Sequence, residues 1–141
     1  MTAKEGIYKV LSNIFNGELY PVHHPDPDGL YNSVSDDFAI YTKVGENTFN
    51  TLIGVTAEKQ VRIQVSIYSV NHDKNEQLVT FMNQAMIAAN DVFIAAHELG
   101  NDPYETEGAL ANRPIPGSFD DFDNESRRFV THSDFYVWSR D

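Results

Sequence analysis

Three short stretches hold the residue types that metal or acyl-transfer chemistry needs. The first is His23, His24, Asp26 and Asp28. Adjacent histidines point in different directions and the intervening prolines fix an extended path, so these ligand types do not converge on one ion. The second is Asp120, Asp121, Asp123 and Glu125, alternating carboxylates of the kind a calcium loop uses. The glycine such a loop demands at its sixth position is missing, and the twelfth position counted from Asp121 is His132 rather than glutamate. These residues read instead as a turn held by Asx-type bonds, with Arg127 and Arg128 partly neutralising the acids. A hydrolase built on them would need a pocket and a divalent ion. The third is Thr131-His132-Ser133-Asp134, which holds the residue types of a serine hydrolase triad. Strand neighbours alternate sides and cannot assemble a triad by themselves. No nucleophile elbow, phosphate loop, dinucleotide fingerprint or H-E-x-x-H motif occurs. The expectation is a protein with no catalytic residues, no metal and no cofactor.

Composition narrows the class further. The chain has 141 residues, 41% of them hydrophobic, which suits one globular domain spanning 1–141. No cysteine is present, so a disulfide scaffold, a thiol nucleophile and a cysteine zinc site are excluded. The N-terminus MTAKEGIYKV lacks the apolar core of a secretory signal, and no uninterrupted apolar run approaches the roughly 20 residues of a membrane span. No membrane association is expected. The net charge of -11 argues against a surface that wraps nucleic acid through its phosphates. The acids concentrate late, ten against four arginines from Glu98 onward, and such a surface can serve DNA by repelling it.

The elements that must position these residues follow from periodicity. Thr2 and Glu5 have the capping-box spacing, and Ile7, Val10, Leu11, Ile14 and Phe15 form one apolar stripe before the stop at Asn16-Gly17. Residues 21–37, with three prolines, read as an irregular connection. Phe38 to Val44 reads as a strand bounded by Gly45. Val61, Ile63, Val65 and Ile67 alternate with polar residues and predict a core strand. Between the two strands, Gly45 to Lys59 reads as a long hairpin loop or an arm, carrying Phe49, Leu52 and Ile53 among polar neighbours. Asp73 and Glu76 repeat the cap spacing ahead of a helix over about 74–90, its exposed positions carrying Asn and Gln. Residues 91–99 fit a continued helix or a returning strand equally. Pro103, Pro114 and Pro116 forbid a continuous element from Gly100 to Gly117. A turn at DDFDNES leads to a closing strand rich in aromatics, with a bulge near His132. The fold class is α+β: a single domain with a mainly antiparallel or mixed sheet and two amphipathic helices on one face.

Taken in order, these pieces resemble the tail terminator and tail-to-head joining proteins of long-tailed bacteriophages. The likeness is carried by the N-terminal helix IYKVLSNIF with its LYPV exit, and by the strand VRIQVSIYSVN running into the helix DKNEQLVTFMNQAM. The acidic turn FDDFDNES and the final SDFYVWS, similar to a closing strand of the form D-F-x-x-W, complete it. The resemblance spans most of the chain, from about Ile7 to Trp138. It implies an α+β protomer that assembles as a hexameric ring on the head-proximal end of the tail tube. Such a ring stops tube growth and joins the tail to the head. The implied partners are further copies of the chain, the major tail tube protein and a head completion or connector protein, with DNA passing through unbound. The implied location is the virion tail, reached from the host cytoplasm during assembly. On this reading Phe49, Leu52 and Ile53 are candidates for a subunit or tube interface, and Asp120, Asp121 and Asp123 for a channel-facing surface. The competing readings are another phage neck or tube component, or a monomeric acidic anti-defence inhibitor that mimics the charge of DNA.

Overall fold

The structure, a computed structural model, describes the backbone of residues 2–22, 37–51 and 54–140 and the side chains of all of these but 49–51 and 54–57. Helix α1 (Ala3–Leu11) opens on the expected capping box. Thr2 Oγ1 accepts from the Glu5 N–H at 3.2 Å, and Glu5 Oε2 accepts from the Thr2 N–H at 3.3 Å. The helix ends earlier than its apolar spacing suggests. The chain unwinds after Leu11 into a turn closed by the Gly17 N–H donating to the Ser12 carbonyl at 2.9 Å, with Gly17 at φ +81°. Phe15 still reaches the core from this turn, 3% exposed.

Five strands form one mixed sheet in the order β1-β2-β3-β5-β4. Strand β1 (Leu19–Pro21) runs parallel to β2 (Asp37–Thr51), which pairs antiparallel with β3 (Gly54–Ser69). Of the two expectations for Gly45 to Lys59, a long hairpin loop or an arm, the structure shows the arm, most of it β-ladder. Cross-strand side chains hold it: Asn47 Nδ2 donates to Gln60 Oε1 at 3.2 Å, and Glu46 sits 3.8 Å from Lys59 Nζ, with Lys43 of its own strand 3.9 Å away. Charged and amide residues that read as loop in one dimension are cross-strand partners in two.

Helix α2 (His72–Glu98) settles the open choice for residues 91–99 in favour of a continued helix, because no glycine or proline interrupts it before Gly100. Its N-cap is Asn71, whose Oδ1 accepts from the N–H groups of Asp73 at 2.8 Å and Lys74 at 3.2 Å; Asp73 lies inside the first turn. Both helices cover the same face of the sheet. Ile7 and Leu11 of α1 and Leu78, Met82 and Met86 of α2 close over Val61, Ile63, Val65 and Ile67 of β3, all at most 3% exposed. Asn75 is the buried polar tie: its Nδ2 donates to the carbonyls of Ile67 at 2.8 Å and Phe129 at 3.2 Å.

Strand β5 (Arg128–Arg140) is central, between β3 and β4 (Asn112–Asp123), which explains the aromatic C-terminal segment. Phe135 and Val137 enter the core, whereas Tyr136 and Trp138 stay half-buried on the opposite face. Pro114 and Pro116 lie within a strand after all, because β4 is an edge that needs hydrogen bonds on one side only. The bulge expected near His132 falls across the ladder, on β4 between Ile115 and Phe119; the β3–β5 register is unbroken. Gly117, at φ +108°, makes that detour possible. The DDFD half of the expected turn extends β4, and only residues 124–127 turn.

Candidate functional site

The β2–β3 hairpin outreaches the sheet. Glu58 pairs with Arg140 at the end of β5, so Gly54 to Ala57 and the β2 residues facing them continue for about 13 Å with no described strand beside them. Phe49 falls at a register shift between Thr48 and Asn50 on this arm. Leu52 and Ile53 lie outside the described residues, as do His23, His24, Asp26 and Asp28.

The acidic residues Asp120, Asp121 and Asp123 lie on the edge strand β4 and the turn it enters. Asp120 Oδ1 accepts from Thr131 Oγ1 at 2.9 Å. Asp121 Oδ1 accepts from the Phe122 N–H at 2.8 Å. Asp123 closes an Asx-type turn, accepting from the Glu125 N–H at 3.1 Å and Ser126 Oγ at 2.7 Å. Phe119 and Phe122, 55% and 37% exposed, stand among these acids. Acids, prolines and a bulge on one edge are devices that discourage another strand from adding there.

On the sheet face away from the helices, alternation separates the residues of the THSD stretch. His132 and Asp134 project there while Thr131 and Ser133 turn inward. Ser66 Oγ and His132 Nδ1 are 2.7 Å apart across the β3–β5 ladder, a nucleophile and a base within hydrogen-bond reach. Ser66 is 8% exposed, and the nearby carboxylate of Asp134 is engaged by Arg62 at 2.9 and 2.6 Å. The pair ties β3 to β5 across the ladder. Sequence reasoning missed one further cluster. His72, Asp73 and Glu76, all exposed on the first turn of α2, bring one ligand atom each within 4.8 Å of the others. The His72/Glu76 spacing is the signal for it. The partial positive charge of a helix N-terminus opposes a cation there.

Two cavities border the loop between α2 and β4. One, of about 10 Å³ beside Phe93, Tyr104 and Trp138, is the size of a single water. The other is an open groove of about 550 Å³ between α1 and residues 104–109, lined by Tyr8, Lys9, Tyr104 and Glu107. Asp102 and Arg140 form an ion pair that fastens this loop to the end of β5, and the Arg140 guanidinium sits 4.9 Å over the Tyr104 ring. That hydrogen bond holds the Asp102 carboxyl below its ordinary pKa.

Helix α2 presents more than a polar outer face. Phe81, Ile87, Val92, Ile94 and Leu99 are between 41% and 78% exposed. By length and composition α2 is also apolar enough to cross a membrane, a property hidden from a search for uninterrupted apolar runs by its Asn and Gln residues. Its buried face packs on the sheet as that of a core helix does. Compared with known protein families and with characterised proteins, the chain matches none.

Proposed function

We propose that this chain is a structural virion protein that caps the head-proximal end of a phage tail tube as a hexameric ring, ending tube growth and joining the tail to the head connector. The observation that carries the reading is the β2–β3 arm, a paired hairpin extending past the sheet that bears it. An arm of this kind can lie on a neighbouring subunit, and a head-to-tail contact repeated by rotation closes a ring. The order of elements adds support: a capped helix, a long hairpin, a helix, and a closing hairpin whose last strand carries Asp134-Phe135 and Trp138. Phe49, Leu52 and Ile53 would then contact the next subunit or the tube. Asp120, Asp121 and Asp123 would line or border the channel and keep passing DNA from adhering.

The work of such a ring is geometric, with no catalysis. Blocking synthesis of the chain during phage growth tests it: filled heads and tube-bearing tails should accumulate separately, and supplying the protein should join them. Intact infectious particles formed without the chain would end this reading. The serine triple variant of Phe49, Leu52 and Ile53 should keep the melting of the parent and fail to restore joining.

A further inference from the structure

Five residues of α2 and Leu99 at its C-cap form a stripe with the 4-3-4-3-4 spacing of a coiled-coil seam: Phe81, Ala85, Ala88, Val92, Ala95 and Leu99. On a helix they fall within an arc of about 80° and run for about 27 Å. The arc borders the core face, and of its members Ala85 alone packs partly against the core. Ala85 is half-buried, Ala88 and Ala95 are exposed, and Phe81, Val92 and Leu99 are 42%, 41% and 78% exposed. From Gln77 to Asn90 there is no charged residue at all, in a chain whose net charge is -11.

The stripe is symmetric in position about residue 90, and its two outer pairs are also matched in size. Phe81 and Leu99 are equidistant from it, as are Ala85 and Ala95, and Ala88 and Val92. Two copies laid antiparallel would set large side chains against large at both ends, with alanine against alanine and alanine against valine between. A two-fold contact requires a patch complementary to itself, which this one is. Antiparallel alignment also opposes the two helix dipoles favourably.

We propose that this stripe is a homodimer face, on which a second copy of the chain lays its own α2 antiparallel about a two-fold axis near residue 90. A lipid surface fits less well. Interfacial helices carry Lys and Arg on their polar side, and α2 has Lys74 alone against Asp73, Glu76, Asp91 and Glu98. The pair does not rest on the tail reading. It closes on itself, whereas a ring needs head-to-tail contacts, so the two use different surfaces. A stripe this narrow makes a small interface between two acidic chains, so pairing is weak at low salt and strengthens as salt screens the repulsion.

Sedimentation of the purified chain over rising concentration should show its mass move from one chain toward two, earlier at high salt. The double variant Ala88→Glu/Val92→Glu, at two exposed helix positions, should stay monomeric with unchanged circular dichroism. Because the protein has no cysteine, orientation can be read by cross-linking with a short bismaleimide. A mixture of Phe81→Cys and Leu99→Cys chains should join 81 to 99, while either variant alone joins poorly. A parent monomeric throughout, a dimer that survives the glutamates, or same-site cross-links outnumbering the 81–99 product would each overturn the proposal. So would a monomer that floats with phosphatidylcholine vesicles, which would assign the stripe to lipid.

Discussion

Tyr20, on the three-residue strand β1, shows how one side chain makes stability depend on pH. Burial, together with a hydrogen bond that its hydroxyl donates to the Glu18 carboxylate, raises its pKa from 10.0 to about 12. The fold thus favours the neutral phenol. Its contribution is fully present below pH 10 and is lost as pH rises toward 12, because the unfolded chain gives up that proton first. Urea unfolding at a series of alkaline pH values should show stability falling over that interval, and Tyr20→Phe should flatten the fall relative to the parent. An equally steep fall in the variant would assign the effect to other groups. Residues of this kind are hard to read from sequence, since Glu18 and Tyr20 meet only because β1 extends that segment. Asn71 was missed as the α2 cap for a similar reason: Asp73 and Glu76 offer a capping pattern two residues later, and only the start of the helix decides between them.

At the scale of elements, legibility followed local periodicity. The alternation of β3 announced its buried face, and Ile63 and Val65 are fully buried beneath the helices. Ile63→Asp should therefore leave an unpaired charge in the core at a cost of about 4 kcal/mol or more, most of the stability of a small domain. Arg62→Ala, which removes an exposed ion pair with Asp134, should shift the melt only slightly. Thermal melts giving the reverse order would mean that the strand is turned over. Where structure depends on a distant partner, periodicity was silent. The far half of the β2–β3 hairpin has loop-like composition and forms a strand pair because each side supplies the other's hydrogen bonds. Strand β4 tolerates Pro114 and Pro116 because nothing pairs with its outer edge among the described residues. In α2 the core stripe drew attention from a second one beside it, since both repeat at nearly the same interval.

The whole molecule is an acidic α+β domain that, among the described residues, exposes a long arm, an acidic edge and an apolar side of α2. These three surfaces are the ones on which the proposed assemblies would draw. The fold class was readable from the order of elements, whereas the exposed apolar side of α2 was not, because exposure is a property of the packed chain. The central claim is a ring at the end of a tail tube. Electron cryomicroscopy of isolated tails is its most direct test. The density at the head-proximal end should resolve into a closed hexameric ring of this chain, with the β2–β3 arm of each copy lying on its neighbour. Tails that lack the chain altogether, or that carry it elsewhere than at this end, would contradict the account.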